Sequence, residues 1–136
     1  IHRNPIQSIA SFCSLTKNIR SAFSKNVDTK EIGKTVLDFW QHNLNKGMSY
    51  RESLRPNQIA DINYKEFIKS PLDTIKNTYS VLGFDIDIET ENKMGEYLIK
   101  QNQIKKEKHN YSLEEFDLSP EIVNDHFHNY MMSHEF

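Results

Sequence analysis

Over about residues 5–24 the apolar positions Ile9, Phe12, Cys13, Leu15, Ile19, Ala22 and Phe23 recur every three or four residues, which predicts an amphipathic helix. Asn4-Pro5 starts it, since Asn is a good N-cap and Pro is favoured at the first helical position. Asp28-Thr29-Lys30-Glu31 reads as a capping box. The helix behind it carries Ile32, Val36, Trp40, Leu44 and Met48, and should stop before Pro56, because the residue ahead of a proline avoids the helical region. Residues 58–64 predict a short strand with Ile59 and Ile62 as its apolar content, and residues 65–69 a single turn. Ser70-Pro71-Leu72-Asp73 opens another helix, with Leu72, Ile75, Tyr79 and Leu82 as its buried face and Gly83 as its stop. Asp87 caps a further helix, to about Gln101, that uses Ile88, Met94, Tyr97 and Leu98. Residues 103–111 are polar and lysine-rich and read as a loop. Ser112-Leu113-Glu114-Glu115 caps a short helix, and Ser119-Pro120 opens the last, with Ile122, Val123, Phe127, Tyr130 and Met131. The chain itself is therefore expected to be mostly α, with one or two short strands whose partners lie outside it.

Composition narrows this further. The 136 residues suffice for one domain with a modest core. Hydrophobic residues at 37% against 26% charged place it among globular chains, on the polar side. Seventeen basic and 19 acidic residues leave a net charge of −2, so no global basic excess points to nucleic acid. No apolar run approaches the roughly 20 residues of a membrane span. Cys13 is the sole cysteine, which excludes an intrachain disulfide and fits a reducing, cytoplasmic setting. The chain opens on Ile1-His2-Arg3 directly ahead of a helix start, as though cut at the end of a strand, and is expected to be a fragment.

Arg3 is the first candidate for chemistry. The N-terminus of a helix carries a partial positive charge and free N–H groups that receive anions. A guanidinium ahead of it adds a rigid fork matched to phosphate. Ser8 and Ser11 add hydroxyls along the helix. Read from the residues alone, a surface arginine with two solvated helix serines is the favoured description, and the anion site stays open beside it. His126, His128 and His134 near Asp125 suggest metal only superficially, because positions i and i+2 do not share a helix face; no metal is expected. Cys13 among apolar neighbours reads as a core thiol.

The segment His2-Arg3-Asn4-Pro5-Ile6-Gln7-Ser8-Ile9-Ala10-Ser11 resembles the stretch of sulfotransferases in which a strand ends in an arginine and a serine follows eight residues later. Downstream, Ile59-Ala60-Asp61-Ile62-Asn63-Tyr64-Lys65-Glu66-Phe67, continuing through Pro71 to Leu82-Gly83, resembles that family's pattern of strand, tyrosine, turn, proline, helix and Leu-Gly. His109-Asn110-Tyr111-Ser112-Leu113-Glu114-Glu115-Phe116 resembles a stretch near the C-terminus of bacterial members.

The resemblance implies an α/β fold of the P-loop-like sulfotransferase kind, a parallel sheet flanked by helices, with residues 1–136 as its C-terminal part. It implies an enzyme that moves a sulfuryl group from 3′-phosphoadenosine 5′-phosphosulfate to a hydroxyl or amine of a carbohydrate, peptide or small alcohol. Arg3 and Ser11 would bind the nucleotide's 3′-phosphate and Tyr64 its adenine. Lys108 and His109 would stand in for the family's late Arg-Lys-Gly loop, which this chain lacks, and Lys105 and Lys106 precede them. The loop for the 5′-phosphosulfate and the catalytic base have no counterpart here, so no catalytic residue is assigned and the chain alone is expected to be inactive. The alternatives are a non-catalytic helical interaction module descended from the fold and a P-loop kinase-like phosphotransferase. A polar surface all round would favour the module, and an exposed apolar face the sulfotransferase part.

Overall fold

The computed structural model describes residues 1–103 and 111–134. In chain order the α-helices are α1 (Pro5–Ser21), α2 (Thr29–Arg51), α3 (Tyr64–Lys69), α4 (Pro71–Val81), α5 (Ile88–Asn102), α6 (Pro120–His126) and α7 (His128–Ser133), with 3-10 turns at Pro56–Gln58 and Glu114–Phe116. They form two compact units, one of Ile1–His2 with Ser53–His109 and one of Arg3–Glu52 with Asn110–Phe136.

The unit built on α1 and α2 holds the buried core. Ile9, Ala10 and Cys13 of α1 meet Ile32, Val36 and Leu37 of α2, and the segment around the Glu114–Phe116 turn adds Leu113, Phe116 and Leu118. Val123 and Phe127 close the cluster, with α6 packing on both long helices. Phe116 is 1% exposed, and burying a phenylalanine to that degree stabilises by about 1.5–3 kcal/mol. Gly33 lies where α2 passes this turn so closely that a Cβ would stand 2.1 Å from the Phe116 carbonyl oxygen. The turn leaves through Asp117 at φ 57, the left-handed region that aspartate tolerates better than most residues.

Caps fix the helix starts. The Asn4 side chain accepts from the Ile6 N–H and the Asp28 carboxylate from the Glu31 N–H at 3.0 Å. The predicted box at Asp28 closes only halfway, because the Glu31 carboxylate accepts from the Arg20 guanidinium at 2.8 Å instead. Lys17 pairs with Glu115 and Lys30 with Asp117. Each of these side chains is at least 39% exposed, so each pair adds little.

The apolar periodicity of α1 runs further than its burial. Leu15, Ile19 and Phe23 remain 52%, 55% and 88% exposed, and the helix stops at Ser21, short of Phe23. On α2 the predicted stripe is buried at Ile32 and Val36, then opens at Trp40, whose ring meets Phe12 edge-on at 5.2 Å. The helix ends at Arg51, ahead of Pro56 as predicted.

In the other unit α3 packs on α4 and α4 on α5, with no described residue fully buried. Asn63 caps α3, accepting from the Lys65 N–H, and Asp87 caps α5. The Thr90 backbone N–H, then its hydroxyl, hold the Asp87 carboxyl below its usual range. Ser70 starts α4 without the predicted side-chain bond; it also ends α3, its N–H donating to the Glu66 carbonyl. Gly83 closes α4 as predicted, at φ 78, with the Phe84 N–H reaching back to the Tyr79 carbonyl.

The short strand expected at residues 58–64 does not form, and no strand or sheet is present among the described residues. Pro56 draws Gln58 into a 3-10 turn, and Asn63 caps a helix that takes Tyr64 as its first residue. What remains is one isolated parallel bridge between His2 and Asn63. A lone pairing with no further strands beside it cannot extend into a ladder.

Candidate functional site

The site residues read from the sequence fall in both units. Arg3, Ser8 and Ser11 belong to the unit of α1 and α2. Arg3 is exposed and sits directly before the cap of a 17-residue helix. The first turn offers fewer donors than the sequence suggests. Pro5 has no N–H, the Ile6 N–H donates to Asn4 Oδ1 at 2.9 Å, and the Ser8 N–H donates to the Asn4 carbonyl at 3.2 Å. That leaves the Gln7 N–H as the donor of this turn that no described residue takes.

The serines also part company. Ser8 spends its hydroxyl on the Asn4 carbonyl at 3.1 Å, so it does not supply the free donor that its spacing suggests. Ser11 is half-buried, and among the described residues its hydroxyl makes no hydrogen bond. Positions 4, 8 and 11 follow the i, i+4, i+7 pattern of one helix face. Ser11 therefore lies on the face begun by the cap, roughly 10 Å along the axis at 1.5 Å per residue. Cys13, two residues on, is wholly buried, and burial pushes its thiol up to about 11, which keeps it protonated and inert.

In the other unit, Tyr64 is half-buried at the start of α3, not at the close of a strand. Its backbone N–H donates to the His2 carbonyl at 2.9 Å, while the His2 N–H donates to the Ile62 carbonyl at 2.7 Å. The His2 imidazole Nε2–H donates to Asp61 Oδ1 at 2.6 Å. Neither His2 nor Asp61 carried a signal in the sequence, because the bond joins positions 59 residues apart. Lys105, Lys106, Lys108 and His109 lie outside the described residues. His126 and His134 each set Nδ1 against the backbone carbonyl four residues earlier, Ile122 and Tyr130. No helix among the described residues is long and apolar enough to cross a membrane.

A model of the sulfotransferase family matches residues 1–88, the stretch that holds Arg3, Ser11 and Tyr64. No curated protein matches the chain. The crystal structure of sulfotransferase STF9 from Mycobacterium avium is similar in fold, with a TM-score of 0.87 and 22% sequence identity. The likeness covers 99% of this chain and 35% of that one, so the chain spans about a third of that protein's length.

Proposed function

The chain belongs to the sulfotransferase family, and on that premise we propose that it supplies the grip on the 3′-phosphate and adenine of 3′-phosphoadenosine 5′-phosphosulfate. The observation that carries the proposal is the start of α1: an exposed guanidinium at Arg3, an untaken Gln7 N–H, and a Ser11 hydroxyl without a hydrogen bond among the described residues. Helical side chains lean toward the N-terminus, which favours a Ser11 hydroxyl directed along the axis toward the cap. A charged fork, a backbone donor at the positive end of the helix and a hydroxyl are the donors a phosphate dianion takes.

In this reading Tyr64 contacts the adenine, and Lys108 and His109 contribute cations to the 3′-phosphate, all by resemblance to the family. The parallel sheet belongs to the same proposal and draws on the parallel sense of the His2–Asn63 bridge. A cytoplasmic setting also belongs to it and draws on the single cysteine, which leaves no disulfide to form within the chain.

The 3′-phosphate lies away from the reacting sulfur, so its ligands cannot break the bond. They fix the donor in line with the acceptor hydroxyl or amine, and the gain comes from orientation. A base must take the acceptor's proton and a cation must offset charge on the departing 5′-phosphate. No residue here is assigned to either task, and activity is proposed only for the assembly that supplies them. The rival reading, a non-catalytic helical module, called for a polar surface all round. Leu15, Ile19, Phe23 and Phe39 are each more than half exposed, which favours the first.

The test is calorimetric titration of the chain with 3′-phosphoadenosine 5′-phosphate and with adenosine 5′-phosphate. The first is expected to bind more tightly. Arg3→Ala should remove that preference by about tenfold or more, since a hydrogen bond to a charged group is worth about 1.5–3 kcal/mol. Equal loss for both nucleotides, or no preference in the parent chain, would overturn the assignment.

A further inference from the structure

A hollow of about 430 Å³ opens beside the turn that joins α1 to α2, within the unit those helices build. Small-molecule sites occupy roughly 300–1,000 Å³. One wall is apolar. Ile19 and Phe23 line it, both more than half exposed, together with Val27, which also packs against the buried cluster. The turn is already ordered by its own bonds. The Phe23 and Ser24 N–H groups donate to the Arg20 carbonyl at 3.0 and 2.9 Å. The Ser24 hydroxyl donates to the Asn26 carbonyl at 3.0 Å and accepts from the Asn26 N–H at 3.3 Å. A wall held in this way has little freedom left to lose when a ligand arrives. The other wall is charged, with the Arg20 guanidinium set against the carboxylates of Asp28 and Glu31. Arg20 is spent on Glu31 Oε2 at 2.8 Å, and the neighbouring Lys30 is drawn off to Asp117. Asp28 gives Oδ1 to the Glu31 N–H. Among the described residues, Asp28 Oδ2 and Glu31 Oε1 accept no hydrogen bond.

We propose that this hollow binds a small organic ammonium ion, with an aromatic or alkyl body on Ile19, Phe23 and Val27 and its charged head donating to Asp28 and Glu31. Charge complementarity selects that occupant. The lining carries one guanidinium against two carboxylates, so its excess is negative and it disfavours an anion. A neutral apolar molecule covers the first wall and leaves the carboxylate excess unmet. An ammonium head is all donor and no acceptor, which suits the carboxylate oxygens that remain. The apolar body adds the burial of surface that water now covers on Ile19 and Phe23. The proposal stands on the α1–α2 turn alone and does not rest on the reading of Arg3.

The experiment titrates 2-phenylethylammonium, 2-phenylethanol and 3-phenylpropionate into the isotope-labelled chain at neutral pH and follows the backbone amide shifts by NMR. The ammonium should move the amides of residues 19–31 and bind about two- to fivefold more tightly than the alcohol, the worth of one partly exposed ion pair. The propionate should bind more weakly than the alcohol. Asp28→Asn keeps a capping oxygen for α2 and removes the charge, so it should bring the ammonium down to the level of the alcohol. Phe23→Ser should weaken both the ammonium and the alcohol, and at an exposed position it should leave the thermal midpoint in place. Absence of saturable binding, equal affinities for the three probes, shifts centred away from the turn, or an ammonium preference that survives Asp28→Asn each overturn the proposal. Concentration-dependent shifts of the same amides before any probe is added overturn it as well, because a second copy of the chain then fills the hollow.

Discussion

The sharpest test of the packing is Gly33→Ala. In an exposed helix interior this change stabilises, because alanine is favoured over glycine by about 1 kcal/mol. Here the added methyl would stand 2.1 Å from the Phe116 carbonyl oxygen and 3.1 Å from that residue's carbonyl carbon and Cβ. Relieving the oxygen contact needs a movement of roughly 1 Å, and overpacking of that kind costs about 1–3 kcal/mol, sometimes more. The obstructing atom is backbone. Its turn is tied by the Phe116, Asp117 and Leu118 N–H groups and anchored by the buried Leu113, Phe116 and Leu118 side chains. The cost therefore belongs at the upper end, and the net effect is a loss of about 2 kcal/mol.

The same helix supplies the control. A Cβ at Gly47 meets nothing within 4 Å. Gly47→Ala should gain about 0.5–1 kcal/mol, so one substitution made twice on α2 should move stability in opposite directions. Equilibrium urea unfolding followed by far-UV circular dichroism reads both. With a slope of about 1–3 kcal/mol per molar for a small protein, Gly33→Ala should lower the midpoint by roughly 1 M and Gly47→Ala should raise it. A Gly33→Ala midpoint equal to or above that of the parent chain would refute the close approach of α2 and the Phe116 turn.

Further outcomes follow from the same contacts. Folding keeps the proton on buried Cys13 up to about 11, whereas the unfolded thiol releases it near an ordinary 9.0. Stability should therefore be unaffected by this group below pH 9 and fall by about 2–3 kcal/mol as pH rises to 11. Urea midpoints across that window should show the loss, and Cys13→Ala should lack the cysteine's share of it; identical slopes in both proteins would contradict the burial. Asp28→Ala removes the cap of α2 and should cost about 1 kcal/mol in the same unfolding assay, with Asp28→Asn recovering most of it. No change on Asp28→Ala would mean that the Glu31 N–H finds another acceptor.

What the sequence made legible was decided within one helical turn. Asn4, Asp28, Asp87 and Ser119 each cap through a bond spanning two or three residues, and the residue types alone specify that geometry. The ends at Arg51 and Gly83 follow from a proline ahead and a positive φ, which are also local. The misreadings have the opposite character. Residues 58–64 carry strand-like content, but whether they form a strand depends on neighbours; with His2 alone beside them, Asn63 and Tyr64 are drawn into a helix. The periodicity of α1 promised burial at Leu15 and Ile19, yet a helical stripe records only which side chains share a face, not whether anything covers it.

The candidate site divides along the same line. The interval from Arg3 to Ser11 is a property of one helix start, so it could be read directly, and the family match spans it. The removal of Ser8 from the donor set is also local in origin, since it follows from the Asn4 carbonyl four residues earlier. The Asp61–His2 bond instead joins positions 59 residues apart, and no pattern of residue types encodes that meeting. Spacing can thus place candidate residues on one helix start, but contacts such as this one exist only in the folded chain.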